Sequence, residues 1–89
     1  MTQDEFLAMV ARETDTELVV VTRPANAALD HHAHPFGAVA LVLRGAITIA
    51  QGGPAQLYRS GDVFQIPAGR EHVEHYGEHG VTYLVARSG

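Results

Sequence analysis

Six histidines occur in 89 residues, and three of them have the spacing of metal ligands. His32 and His34 stand two apart in Ala27 to His34, a run that reads as extended, so strand alternation points both imidazoles to one face. A third ligand must come from another strand, because same-face positions on one strand recede by about 6.5 to 7 Å per two residues. His72 meets that need. It opens a strand directly after Pro67-Ala68-Gly69, a turn with a rigid first residue and a permissive last one. Three neutral imidazoles leave an ion its full charge and at least one open position, as in catalytic zinc sites built from three His and a water. The expected cofactor is one divalent transition metal per chain. Ligand type does not choose among zinc, iron, manganese, nickel and copper.

Glu74 and Tyr76 share parity with His72 and are placed as lining residues of the same cavity. Glu74 reads in three ways: a carboxylate ligand, a general base, or an exposed carboxylate at the rim. The Tyr76 phenol is available to a substrate or to water. His31 and His75 have the opposite parity and point outward, and His79 falls in a turn. Asp30, Arg70 and Glu71 read as turn and rim charges.

The elements that must position these residues are mostly strands. Thr2 to Glu13 is helical in pattern: Thr2 and Glu5 have capping-box spacing, and Phe6, Met9 and Val10 share a face. Residues 1–14 are therefore expected as an arm that packs across an open end of a barrel formed by residues 15–89. Eight short runs follow: Leu18 to Thr22, Ala27 to His34, Val39 to Leu43, Ala46 to Ala50, Gln56 to Tyr58, Val63 to Ile66, His72 to Tyr76 and Val81 to Ala86. Turn residues separate them, including Arg44-Gly45, Ser60-Gly61-Asp62 and Tyr76-Gly77-Glu78. Near-regular short strands predict an all-β antiparallel barrel or sandwich.

From about Asp30 to Tyr76 the sequence resembles the cupin superfamily. His32-Ala33-His34 with Gly45 is similar to the first cupin motif, and Gly61, Pro67, Gly69 and His72 match the second with its spacing. Two departures stand out: Ala38 occupies the usual glutamate position and Tyr76 the usual asparagine position. The resemblance implies a small cupin-type β-barrel (a double-stranded β-helix, or jelly roll) with a short N-terminal helix. It also implies metal-dependent chemistry on a small oxygen-bearing metabolite, of dioxygenase, isomerase or lyase type. The alternative is a non-catalytic module that binds or senses a small molecule, and fold alone does not decide.

Composition narrows the partners. The net charge of −4, with no Lys in the chain, argues against nucleic acid, whose phosphates need a clustered basic patch. No run of eighteen apolar residues and no basic-then-apolar leader occurs, so a soluble cytoplasmic protein without a membrane partner is expected. Leu18 to Val21 is apolar on both faces. A peripheral strand of that kind needs a cover, and a two-fold pairing supplies one, so a homodimer is expected.

Overall fold

The computed structural model describes residues 1–13 and 16–88. Its elements run in the order α1 (Gln3–Val10), β1 (Thr16–Arg23), β2 (Ala28–His32), β3 (Gly37–Ala50), β4 (Gln56–Arg59), β5 (Val63–Ile66) and β6 (His72–Ser88). All strand pairs are antiparallel. The boundary expected between 14 and 15 falls on Thr14 and Asp15, outside the described residues.

Six strands stand where eight were expected, because β3 and β6 each run through a position that reads as a turn. Their pairing slips between Val42 and Arg44 and again between Gly45 and Ile47. Each long strand thereby serves two sheets. The first half of β3 pairs with β5 and with the second half of β6, which also carries β1. The second half of β3 pairs with β4 and with the first half of β6, which also carries β2. The slips also switch parity. Ala40 and Val42 face the interior before the bend, Ile47 and Ile49 after it, so one core continues across both sheets.

The bend needs glycine. Gly45 has φ 79°, and a Cβ there would lie 2.1 Å from the carbonyl oxygen of Gly80 on β6. An L side chain can satisfy neither condition. A related position was not foreseen: Asn26, six residues before His32, has φ 57°. The first cupin motif carries glycine there, and Asn is among the residues that best tolerate this conformation.

The interior core joins Val21, Ala40, Val42, Ile47, Ile49, Phe64, Tyr83 and Val85, with Phe64 packed between Tyr58 and Tyr83 at centroid distances of 5.4 and 5.3 Å. A second cluster lies on the opposite face of β3 and β6. There Phe6 and Val10 of α1 cover Leu41, Leu84 and Ala86. The helix is thus fastened to the outside of a sheet and does not close an open end. Its start has the expected capping box: the Glu5 N–H donates to Thr2 Oγ1 at 3.2 Å, and the Thr2 N–H donates to Glu5 Oε1 at 2.8 Å. That hydrogen bonding holds the Glu5 carboxyl below its ordinary range. Among the described residues no helix is long and apolar enough to cross a membrane.

Candidate metal centre

The three histidines placed by spacing meet in the cavity between the sheets. A ligand nitrogen from each of His32, His34 and His72 lies within 4.8 Å of the others. Ring centroids are 4.0 Å apart for His32 and His72, and 5.1 Å for His34 with either partner. His32 ends β2, and the pairing there slips by one residue between Leu29 and His32. This bulge aligns His32 with His72 on β6 while Leu29 pairs with Glu74. His34 lies beyond the strand, which ends two residues earlier than its sequence suggests. Its carbonyl accepts the Gly69 N–H at 2.8 Å, tying it to the turn that leads into His72.

The hydrogen bonds settle the ring tautomers. His32 Nδ1 donates to the Asp30 carbonyl at 2.8 Å, and His72 Nδ1 donates to the Arg70 carbonyl at 3.0 Å. A carbonyl only accepts, so both Nδ1 atoms carry the hydrogen, and the Nε2 of each neutral ring offers a lone pair. Both Nε2 atoms lie 3.1 Å from one oxygen, Glu74 Oε2. The other carboxylate oxygen accepts the Tyr76 hydroxyl at 3.0 Å, which fixes the carboxylate's orientation. Glu74 is 4% exposed. The rim placement is therefore excluded, because β6 carries His72, Glu74 and Tyr76 together on its inward face.

His34 differs from the other two. Its Nδ1 is the one buried side-chain polar atom without a hydrogen-bond partner among the described residues. Its ring stacks on Phe36 at 4.8 Å with 4° between planes. Burial, and then the neighbouring imidazoles, push its pKa below the ordinary value, which favours the neutral ring a metal requires. Burial also pushes the Tyr76 phenol up to about 12, with the Glu74 charge adding to the shift.

His31, His75 and His79 are exposed, the first two as their parity requires, but His79 lies within β6 and not in the expected turn. His31 lies 2.9 Å from Glu71, another exposed residue. Ala38, at the usual glutamate position, lines the cavity with the histidines, and the carboxylate present there comes from β6 instead. The lining residues that the sequence did not single out include Arg23, Phe36, Tyr83 and Arg87, whereas Tyr76, expected there, is buried on Glu74 and is not part of the cavity wall. The available signal was parity, since Arg23 continues the inward series of Val19 and Val21, and Arg87 that of Tyr83 and Val85. The Tyr83 hydroxyl makes no hydrogen bond to the described residues, and burial pushes its pKa up to about 12, so it stays a donor.

An unbalanced set of acceptors and an orphaned buried nitrogen are what a cation would satisfy, so the residues fit a metal ion. Comparison with known proteins agrees on the fold. The chain superposes on a cupin-like protein from Thermotoga maritima with a TM-score of 0.72 at 25% identity, covering 83% of this chain and 57% of that one. A cupin-2 domain protein from Shewanella frigidimarina gives 0.71 at 16% identity, with 100% and 94% covered. The DMSP lyase DddQ from Ruegeria pomeroyi gives 0.77 at 24% identity, but the chain spans only 40% of it, so the likeness concerns the fold alone. No curated protein matches the sequence. The family model described as "Cupin domain" matches residues 19–84, which include His32, His34, His72 and Glu74. The chain belongs to the cupin family.

Proposed function

We propose that the chain binds one divalent transition-metal ion through His32, His34 and His72, with Glu74 as its carboxylate, and acts on a small oxygen-bearing metabolite beside it. The observation that carries this reading is the convergence of two imidazole lone pairs on one carboxylate oxygen, with both Nδ1 hydrogens already committed to carbonyls. Acceptors 3.1 Å apart repel unless a proton or a cation lies among them. A divalent ion held by His32, His34, His72 and Glu74 would relieve that repulsion. When bound, the ion supplies a Lewis acid with room for a substrate oxygen.

The chain's own residues do the rest. Asp30 and Arg70 carbonyls hold two imidazoles in the ligating tautomer, Tyr76 aims Glu74, and the apolar walls formed by Val21, Phe64, Ile66 and Val85 limit water. Dioxygenase, isomerase and lyase reactions are the catalytic forms of this reading. Saturable ligand binding without product would instead assign the chain to the binding and sensing class. A homodimer belongs to the same proposal: among the described residues β1 pairs only with β6, and Leu18 and Val20 on its outer face are 45% and 62% exposed.

Metal analysis of untagged protein tests the centre. About one equivalent of a divalent transition metal is expected. His72→Ala should abolish it and His75→Ala should leave it unchanged. No metal in the parent, or equal loss in both variants, overturns the assignment.

A further inference from the structure

We propose that the cavity takes a small carboxylate whose anionic group is held by Arg23 and Arg87. The proposal deepens the metal-centre reading by naming the class of ligand, and it rests on that reading only for the placement of the ligand's second oxygen.

Strand parity carries the argument. On β1, Val19 and Val21 face the interior and Arg23 follows at the next inward position. On β6, Tyr83 and Val85 face the interior and Arg87 follows in the same way. Both arginines line the cavity that holds His32, His34 and Glu74. Arg23 is exposed and Arg87 partly so, which places both guanidinium groups at the solvent-reached mouth of the cavity, where an entering anion meets them.

The protein supplies the two guanidinium groups with only one weak acidic partner. Among the described residues the Arg23 side chain has no ion pair or hydrogen bond. Arg87 has one acidic neighbour, Glu17, at 3.7 Å, which is too long for a hydrogen bond. Its guanidinium lies 5.0 Å from the centroid of Phe36, the ring that stacks on His34. That contact orients the group beside the histidine centre through a cation–π interaction and leaves its N–H donors free.

The local charge runs against the whole. The chain carries −4, yet this cavity gathers two of its six arginines against a single carboxylate, and that carboxylate faces the imidazoles. A focused positive field inside an acidic protein selects anions over neutral analogues. Size and polarity narrow the class further. The cavity is about 60 Å³, room for a handful of waters, and its remaining walls are largely apolar. The ligand class is therefore a carboxylic acid of a few carbons with a short apolar body and a second oxygen donor.

The test compares 2-hydroxyisobutyrate with its neutral isostere 2-hydroxyisobutyramide by calorimetry, using the full chain in zinc-loaded and metal-free forms. The acid should bind about tenfold or more tighter than the amide in both forms, as expected for charge-assisted hydrogen bonds. Arg23→Gln and Arg87→Gln should each weaken acid binding about tenfold while leaving amide binding, zinc content and the circular dichroism spectrum unchanged. Equal binding of acid and amide overturns the proposal, as does failure of both to bind at millimolar concentration. An acid preference that vanishes with zinc but ignores both arginine changes also overturns it, since the ion alone would then hold the carboxylate. A parent that binds no zinc yet keeps an arginine-dependent acid preference would sink the metal reading and support this one.

Discussion

Replacing Glu74 by Gln separates a metal ligand from a structural hydrogen-bond acceptor, because the two roles predict opposite signs in metal-free and metal-loaded protein. In the metal-free chain with both imidazoles neutral, Glu74 Oε2 faces two Nε2 lone pairs at 3.1 Å, and Oε1 accepts from Tyr76. A Gln amide fits that site with every group paired. Its oxygen still accepts from Tyr76, and its two N–H groups donate to the two lone pairs, each bond contributing about 0.5–1.5 kcal/mol. Metal-free E74Q should therefore be as stable as the parent or more so. The zinc-loaded form should lose stability, because the amide is a poorer ligand. A tenfold to hundredfold loss of affinity corresponds to about 1.4–2.7 kcal/mol of zinc-dependent stabilisation. For a domain of this length that shrinks the zinc-induced rise in Tm by about 6–20 °C. The assay is thermal unfolding by circular dichroism in saturating zinc and in chelator, for parent and variant. Ala38→Glu in the E74Q background returns a carboxylate to the same cavity from β3, and it should recover at least part of the lost shift. The reasoning fails if zinc raises the Tm of E74Q as much as that of the parent, or if the variant is destabilised equally with and without zinc.

Two further outcomes follow from other parts of the molecule. Val20→Glu puts a charge on the exposed face of β1 and should give a folded monomer by light scattering where the parent is a dimer; a parent of monomer mass would refute the dimer. Tyr83 is raised by burial from its ordinary 10.0 to about 12, so the fold favours the protonated phenol. That stabilisation is complete below pH 10 and is lost as pH rises through 12, so Tyr83→Phe should flatten the fall in stability across this window, and an unchanged slope would contradict the assignment.

How much of this was legible in the sequence depended on the kind of signal each residue carries. His32, His34 and His72 could be brought together because ligand spacing and strand parity are local properties, and the turn at Pro67 to Gly69 marks where β6 begins. Glu74 was assigned the correct face but an uncertain depth. Parity gives direction, whereas burial depends on the neighbours that β2 supplies. Arg44-Gly45 and Tyr76-Gly77-Glu78 read as turns because glycine serves bends and chain reversals alike. Only the close approach of Gly45 to Gly80 distinguishes the two. The same ambiguity hid Arg23 and Arg87: an arginine after an apolar run ordinarily marks a strand leaving the core. The helix was legible from its capping box and its Phe6 and Val10 face, but amphipathicity does not name the surface that receives it.

The pairing of β1 with β6 has a consequence for how the chain reaches this structure. Thr16 lies opposite Ser88, and Arg23 opposite Val81, so among the described residues β1 acquires its one partner after β2 to β5 have been made. Helix α1 waits on the same event, since Phe6 and Val10 rest partly on Leu84 and Ala86 of β6. Contacts this distant in sequence carry a large loop-closure cost before they return any stabilisation, which places folding in the slow, non-local regime of β-barrels. On the ribosome the segment Leu18 to Val21 emerges before β6 and stays unpaired until that strand follows it out. During that interval it is an apolar, β-prone edge with no charge between Leu18 and Val21, the kind of segment that recruits other chains. Synthesis rate and chaperone capture of this one strand, more than the stability of the finished barrel, would then govern the yield of native protein.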